Sequence, residues 1–340
     1  MTSWTQNAME SRLVRYDDLV PCEAAFLDSR TPGSDKKENF CIIGPGVAEN
    51  PGQYVHIAES HGFNIGGARQ PGGRVNSQHS HTTAEVFVVH SGHWRILFGP
   101  DREDGHLDAG PGDVVSIPVH MFRGFEKLDE GLGFLWVVLG SDDPGQVAWA
   151  PEVFARAERT GLRLLKGGEL IEVADGEGLP PGAEPEEPPS PAQLAAWATP
   201  PMAEMERGLC RGCDMAANPA SRLAAEGIEE CGVLNLIDTA DGFPAGPIGG
   251  GWPHGFALRQ LRMTSGAHIP LHTRFEPEVV FVHDGELSVS WLEGEVVMRR
   301  GDTMSIPVGI PRSFRNSGPG RAVAYVVRGS DNPAVPRFEQ

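Results

Sequence analysis

The hydrophobic residues of this chain occur in short runs of strand length, separated by glycine, proline and other turn residues. Consecutive runs follow one another without helical patterns between them. This arrangement predicts antiparallel barrels or jelly rolls and argues against alternating strands and helices around a parallel sheet. The predicted strands cover residues 85–90, 94–98, 114–117 and 135–139, and further along the chain 232–237, 257–263, 279–283, 287–292 and 322–327.

The two sets of strands belong to two copies of one unit. Matched segments occur in the same order in both halves, and residues 85 and 278 lie 193 positions apart, whereas residues 112 and 301 lie 189 apart. One four-residue difference, in a predicted hairpin loop around 98–111, explains the change of offset. Ordered repeats of this kind indicate an internal duplication. The matched segments are 61–63 with 254–256, 79 with 272, 85–92 with 278–285, 112–119 with 301–308, and 140–144 with 329–333.

The duplication predicts an all-β chain with two tandem barrels. A helix is predicted at 151–159, with proline at its first position and Gly161 as its stop. The proline-rich, acidic stretch 175–206 is expected to be an extended and mobile spacer. The predicted domains are an amino-terminal arm (1–54), barrel one (55–145), a helix and linker (146–225) and barrel two (226–335).

The charge and composition of the chain limit the classes of partner that are expected for it. The formal net charge of −18 argues against nucleic acid or an anionic membrane as a partner. No apolar run approaches the roughly 18 residues of a membrane span, and no secretory signal is visible. The five cysteines do not form a disulfide pattern, so a cytoplasmic location is expected. Cys210 and Cys213 form a lone CxxC, which is interpreted as two incidental thiols in preference to a redox or zinc element.

One group of residues carries metal-binding chemistry. His79 and His81 are two positions apart, and two imidazoles at this spacing lie on one face of a strand. In a straight strand Glu85 would lie about 20 Å from His79, too far to share an ion. Residues 82–84 must therefore turn the chain and bring Glu85 back opposite both histidines.

The chain resembles the bicupins, two-barrel members of the cupin superfamily. The first cupin motif, G-x5-H-x-H-x3/4-E-x6-G, is matched at every position by Gly73, His79, His81, Glu85 and Gly92. The second motif, G-x5-P-x-G-x2-H-x3-N, is kept only in part. In barrel one it retains Gly112 and Pro118 but has His120, Arg123 and Lys127 at the other positions. In barrel two the first motif retains Gly266, His272, Glu278 and Gly285 but has Arg274 at its second histidine position. The second motif there retains Gly301, Pro307, Gly309 and Asn316 but has Arg312 at its histidine position. The resemblance implies two double-stranded β-helix (jelly-roll) barrels.

The departures from the motif shape the expected chemistry. Metal-binding cupins use three histidines and one glutamate, whereas barrel one offers His79, His81 and Glu85 as metal ligands. Two histidines and one carboxylate form the facial set of non-haem Fe(II) oxygenases. Arg123 is expected to hold a substrate carboxylate beside the ion; the alternative is an ion pair with Glu85 in a site without metal. His120 is a further candidate imidazole if its turn is unusual.

Barrel two is expected to lack metal. Arg274 and Arg312 are expected to neutralise Glu278 in a structural salt bridge. The functional alternative is an anion pocket in which His272, Arg274 and Arg312 contact a carboxylate or phosphate.

The first hypothesis is a metal-dependent, dioxygenase-like cupin enzyme acting on a small, carboxylate-bearing organic substrate in barrel one. Arg123 is its candidate catalytic and substrate-binding residue, and the cofactor is a divalent metal, with Fe(II) favoured over Mn, Ni or Zn. One alternative is a metal-assisted isomerase or lyase for a sugar or keto acid. Another is a non-catalytic bicupin that binds or stores a small anion. The expected partners are a small molecule and a second copy of the chain in a homo-oligomer.

Overall fold

A computed structural model describes residues 4–174, 177–249 and 252–339. Strands dominate it, as the sequence predicts. In the first half they are β1 (Leu13–Val14), β2 (Glu38–Ile43), β3 (Val55–Ile57), β4 (Phe63–Pro71), β5 (Val75–Ser80), β6 (Glu85–Ser91), β7 (Trp94–Phe98), β8 (Gly105–Ala109), β9 (Val114–Ile117), β10 (Arg123–Lys127), β11 (Leu132–Gly140), β12 (Ala148–Trp149), β13 (Leu162–Leu164) and β14 (Leu170–Glu172).

The second half repeats the arrangement of strands, and the described helices are short. The strands are β15 (Leu209–Cys210), β16 (Ile228–Leu234), β17 (Ala257–Met263), β18 (His268–Thr273), β19 (Glu278–Asp284), β20 (Glu286–Trp291), β21 (Gly294–Arg299), β22 (Thr303–Ile306), β23 (Arg312–Arg315), β24 (Ala322–Arg328) and β25 (Arg337–Phe338). The α-helices are α1 (Gln6–Glu10), α2 (Pro151–Glu158), α3 (Pro191–Ala196) and α4 (Met202–Met205). Single 3-10 turns cover Tyr16–Asp18 and Glu206–Gly208.

The chain divides into two compact units, and the unit of Val20–Ser60 and Asn64–Leu209 contains barrel one. One of its sheets contains β9, β6, β11, β4, β2 and β3 in that order, and the other contains β12, β5, β10, β7 and β8. Side chains that alternate inward from both sheets fill the interior, and Trp94, Phe87 and Phe98 are fully buried there. Burial of side chains of this size stabilises a fold by roughly 1.5–3 kcal/mol each.

The other unit combines Met1–Leu19, His61–Phe63 and Cys210–Gln340, and it contains barrel two. Its sheets have the orders β1-β22-β19-β24-β17-β16 and β21-β20-β23-β18-β25. The all-β fold with two cupin-type barrels is therefore confirmed. Strand β1 pairs with β22, and Met9 of α1 is buried in the barrel-two core.

Two predicted segments are more structured than the sequence indicates. The predicted arm, residues 1–54, is divided at residue 19 between the two units. The proline-rich linker carries α3, whose first turn is closed by a capping box between Ser190 and Gln193. Its apolar side chains explain the order, because Leu194 and Trp197 pack against the barrel-one unit and Met205 is buried in its core. None of the described helices has the length and apolar character needed to span a bilayer.

Candidate metal centre

The paired histidines and the acidic residue meet at the join between the two sheets of barrel one. His79 lies near the end of β5, His81 follows that strand, and Glu85 begins β6 in the facing sheet. Residues 82–84 form the bend that the sequence requires. One ligand atom from each of His79, His81 and Glu85 can be chosen such that all lie within 4.8 Å of one another. Among the described residues, no other such group of His, Cys, Asp or Glu occurs.

Hydrogen bonding and burial prepare His79 to donate a lone pair. Its Nδ1 lies 2.7 Å from the carbonyl oxygen of Ser77, so this nitrogen carries the proton and Nε2 is the free donor. Burial lowers the pKa of His79 well below its ordinary value and keeps the ring neutral. The rings of His79 and His81 lie 5.0 Å apart between centroids.

His81 and Glu85 face one another. Nε2 of His81 lies 3.6 Å from Oε1 of Glu85, which is too long for a hydrogen bond. Nδ1 of His81 is buried and has no hydrogen-bond partner. Burial raises the pKa of the Glu85 carboxyl to about 8. A cation that contacts Oε1 would offset this cost, because it favours the carboxylate form.

Arg123 holds the opposite oxygen of Glu85. Its Nε and Nη2 donate to Oε2 of Glu85 at 3.0 and 2.5 Å, and its Nη1 donates to the carbonyl oxygen of His79 at 3.1 Å. Arg123 is buried and lies directly across from His79 in the β5–β10 pair. The guanidinium therefore fixes the carboxylate and leaves Oε1 towards His81. The predicted contact of Arg123 with a substrate carboxylate is not the geometry seen here, because its donors are engaged by Glu85 and His79.

A buried polar network supports β5 from the amino-terminal side. Oδ2 of Asp28 accepts hydrogen bonds from Nζ of Lys37 at 2.5 Å and from the amide of Ser77 at 3.0 Å. Lys37 also donates to Oδ1 of Asn76 at 3.0 Å. The backbone that carries His79 is thus held by side chains of the predicted arm, which sequence patterns did not associate with the site.

Glu49 and Trp149 form a second support that sequence analysis missed. Oε1 of Glu49 accepts a hydrogen bond from Nε1 of Trp149 at 2.6 Å, and Oε2 accepts one from the amide of Leu27 at 2.7 Å. The Trp149 ring lies 5.3 Å from the ring of His79. Burial raises the pKa of Glu49 to about 8. Trp149 lies outside the repeated segments, so the duplication gave no signal for it.

The three clustered residues line a cavity inside barrel one. The cavity has a volume of about 600 Å³, its open mouth included. Its walls are mainly apolar, and among the described residues that line it Glu85 is the one acidic or basic residue apart from the two histidines. The aromatic residues of the lining are Phe26, Phe40, Phe87, Phe125 and Trp149.

The cluster fits a divalent metal ion. A neutral imidazole with an oriented tautomer, a second buried imidazole and a carboxylate with one oxygen aimed at the cluster are the donors such an ion uses. Three protein ligands would leave coordination positions for other molecules, and the cavity gives space beside them.

The equivalent positions of barrel two form ion pairs. Nη2 and Nε of Arg312 donate to Oε1 of Glu278 at 2.7 and 3.2 Å, and Nε of Arg274 lies 3.8 Å from Oε2 of Glu278. His272 repeats the His79 arrangement, with its Nδ1 2.8 Å from the carbonyl oxygen of Pro270. A substrate-binding role for Arg274 and Arg312 would require these ion pairs to open.

A larger ionic cluster surrounds this pair, and the sequence analysis missed most of it. Arg328 lies 3.2 Å from Oε2 of Glu278, 2.7 Å from Oε1 of Glu230 and 3.3 Å from Oδ2 of Asp241. Burial alone would raise the pKa of Glu278, but Arg312, Arg328 and Arg274 hold it below its ordinary value. The sequence feature that could have indicated this cluster is the presence of charged residues within largely apolar strands. The buried cluster comprises Arg259, Arg274, Arg312, Arg328, Glu230, Asp241, Glu276 and Glu278.

Two weaker candidates lie elsewhere. His120 occupies an exposed turn with φ of 61°, and its ring stacks on Trp197 at 5.9 Å. It therefore does not supply a third imidazole in this structure. Of the two CxxC cysteines, Cys210 is buried and Cys213 is exposed.

Comparisons with known proteins agree with this architecture. The cupin domain family model (Cupin_2) matches residues 260–328, in barrel two. A germin-like protein of Arabidopsis thaliana (subfamily 3 member 3) is 33% identical over 87 residues, which are 24% of this chain. The match covers 41% of that protein, so this chain spans less than half the length of the curated relative.

Solved two-barrel structures extend the likeness to almost the whole chain. Oxalate decarboxylase from Bacillus subtilis, solved at pH 4.6, has a TM-score of 0.54 and 14% identity, covering 95% of this chain and 77% of that chain. A tryptophan variant of the same enzyme has a TM-score of 0.56 at 14% identity, covering 95% and 78%. At this identity the likeness concerns the fold. Its extent, the match of residues 260–328 to the cupin domain model and the duplicated motifs support a cupin-type fold with two barrels.

Proposed function

We propose that His79, His81 and Glu85 bind a divalent metal ion and that barrel one is the active site of a metal-dependent, dioxygenase-like enzyme. The substrate is a small organic molecule that carries a carboxylate. The observation that supports this proposal is the placement of three ligand atoms within 4.8 Å of one another at the wall of the barrel-one cavity. Fe(II) is favoured, and Mn, Ni and Zn share the same preference for nitrogen and oxygen ligands.

The protein residues prepare this site in three ways. The Ser77 carbonyl sets the tautomer of His79, and Arg123 holds one oxygen of Glu85 so that the other faces the cluster. Supporting hydrogen bonds of this kind orient metal ligands and raise affinity. The apolar walls exclude water from the reacting groups. A bound Fe(II) would supply the chemistry, since two histidines and one carboxylate leave open positions for O₂ and substrate.

Two other functions each have one observation in their favour. A metal-assisted lyase is favoured by the fold neighbours, which are named as decarboxylases of oxalate. A non-catalytic anion-binding bicupin is favoured by the Arg123–Glu85 ion pair, since a guanidinium can replace a metal as the partner of a buried carboxylate. A cytoplasmic location and self-association remain predictions.

Elemental analysis of the purified protein tests the proposal. We expect about one metal ion per chain in the wild type, and in the His272→Ala variant, which removes the equivalent histidine of barrel two. We expect loss of the ion in His79→Ala, because three ligands do not tolerate the removal of one. Wild-type protein without stoichiometric metal after reconstitution with Fe(II), Mn(II) or Zn(II) would contradict the proposal.

Oxygen uptake separates the reactions. With the Fe(II)-loaded protein and a panel of small aromatic and aliphatic acids, substrate-dependent O₂ consumption supports the oxygenase. Release of CO₂ without O₂ consumption would identify the lyase. Metal binding without turnover of any acid in the panel would favour the binding protein.

A further inference from the structure

We infer that the barrel-one cavity accepts a substrate with an apolar, ring-sized body and at most one carboxylate, and that it discriminates against compact dicarboxylates. This inference rests on the proposed function for the position of the metal. It deepens that proposal because it concerns the body of the substrate, which the His79, His81 and Glu85 cluster does not determine.

Aromatic side chains form two sides of the cavity. The rings of Phe26 and Trp149 lie 6.0 Å apart, and Trp149 also lies against His79. The rings of Phe87 and Phe125 form a second pair at 5.3 Å. Such surfaces favour a flat apolar guest, because rings gain from offset or edge contacts beyond simple burial. The aliphatic part of the lining consists of Val47, Ala48, Ala68, Val137, Leu139 and Val147.

The same walls offer no basic side chain to a second carboxylate. Among the described residues that line the cavity there is no lysine or arginine. Lys37 and Arg123 are both buried, and both are paired, Lys37 with Asp28 and Arg123 with Glu85. A metal ion could neutralise one carboxylate of a guest. A second carboxylate would be buried among apolar groups without a partner, which is unfavourable.

Apart from the metal-ligand cluster, Cys41 and Trp149, the polar side chains of the lining are amides. Asn39, Asn76 and Gln53 contribute them, and Oε1 of Gln53 is buried without a hydrogen-bond partner. An amide oxygen accepts a hydrogen bond from a hydroxyl or N–H group, and an amide N–H donates one without supplying the positive charge that a buried carboxylate needs. The lining therefore suits a neutral polar substituent on the body of the substrate.

Three probes test this inference on the full chain. Tryptophan fluorescence, to which Trp149 contributes, and calorimetry would follow binding of 4-methylbenzoate, 4-methylphenol and succinate. With Mn(II)-loaded protein we expect 4-methylbenzoate to bind at least about tenfold tighter than succinate, because the second carboxylate of succinate has no partner. The neutral 4-methylphenol should bind with and without metal, within about threefold, because apolar burial provides its affinity.

The inference is wrong if succinate binds as tightly as 4-methylbenzoate, or if neither aromatic probe shows saturable binding. Failure of metal binding would be a separate result. It would remove the proposed function, and binding of 4-methylphenol to the metal-free protein would still test the cavity.

A pair of variants tests directly whether the lack of a basic side chain in the lining weakens succinate binding. Gln53 is partly exposed, and Gln53→Arg would add a guanidinium to the lining. We expect at least about tenfold tighter succinate binding in this variant and no gain in the matched Gln53→Leu variant. Unchanged succinate binding in folded Gln53→Arg protein would contradict the inference, and if that variant does not fold, the wild-type probe series decides alone.

Discussion

Gly66 and Leu139 line the cavity of barrel one, and the repeat places Arg259 (66 plus 193) and Arg328 (139 plus 189) at the equivalent positions of barrel two. Similarly, His81 corresponds to Arg274. In barrel one these positions leave space beside two imidazoles and a carboxylate. In barrel two the arginines fill the interior and bind carboxylates. The same strands thus surround either an open cavity with metal-ligand chemistry or a closed ionic core.

Two arrangements around these positions are the same in both barrels despite the different side chains. The Nδ1 atom of His79 is bonded to Ser77 and that of His272 to Pro270, both two residues earlier in the chain. Arg123 lies opposite His79 in its strand pair, and Arg312 lies opposite His272. The fold therefore specifies where the side chains are placed, and a few residue identities decide whether the interior favours a ligand or its own charges.

The largest expected effect is on the stability of barrel two. Glu278→Gln would leave Arg312 and Arg328 without the buried carboxylate that they share. Removal of one partner from a buried ion pair costs about 3–5 kcal/mol in free energy of unfolding. Chemical denaturation followed by fluorescence would measure it. Glu286→Gln, which removes a half-exposed carboxylate near Arg299, is the matched control and should change stability little. A loss below about 1 kcal/mol for Glu278→Gln would show that the cluster is not needed for stability.

The exchange of one residue between barrels should remove metal binding. His81→Arg gives barrel one the residue of barrel two, and we expect metal affinity to fall more than about 100-fold because an arginine cannot donate a lone pair. Calorimetric titration with Zn(II) or Mn(II) measures this. Arg274→His should not create a site in barrel two, since Arg312 and Arg328 still occupy Glu278. Metal binding in barrel two of the Arg274→His protein, with Glu278 as a ligand, would contradict this expectation.

Variants of Arg123 test whether its guanidinium positions Glu85 as a metal ligand or takes the place of the metal. If Arg123 positions Glu85, Arg123→Met should weaken metal affinity about 10–100-fold, and Arg123→Lys should recover part of the loss. If it competes with the ion, the affinity of Arg123→Met should rise. Titration with the same metal distinguishes the two signs. Arg312→Met, the equivalent change in barrel two, should leave metal affinity unchanged.

The smallest expected effect is a pH dependence of the barrel-two unit. Burial lowers the pKa of His254 to about 4, below the 6.5 of the unfolded chain. Between these values the unfolded state binds a proton that the folded state does not, so stability is full above pH 6.5 and falls as the pH falls towards 4. From pH 7 to 5 the loss should be about 1–2 kcal/mol for this residue. Denaturation at both pH values should show a weaker dependence in His254→Gln and no such change in the exposed-residue control His268→Gln.

The sequence predicted the features that repeat or that follow a metal-ligand spacing. The short apolar runs separated by turn residues identified both barrels, because the strands of a jelly roll are short, buried and joined by turns. The requirement that Glu85 return to His79 predicted the bend at 82–84, since no straight strand permits a shared ion. Helix α2 begins at Pro151, as its terminal residues indicate.

Features that depend on distant partners could not be predicted. No feature of the neighbouring sequence shows that β1 pairs with β22, or that Glu49 holds Trp149 beside the histidines. The direction of Arg123 was ambiguous, because an arginine near a carboxylate can bind it or bind a guest. The part of the ionic core beyond Glu278 and its two expected arginines was missed for a similar reason. Arg259 and Arg328 lie in largely apolar strands, and only the folded arrangement brings the acids to them.

The ionic core of barrel two also constrains how such a protein can evolve. Each of its arginines contacts an acid that another arginine shares, as Asp241 does for Arg259, Arg274 and Arg328. A single replacement leaves an unmatched charge in a buried interior, so each one-step replacement of these arginines gives a less stable protein. A closed ionic core of this kind is therefore difficult to dismantle one residue at a time.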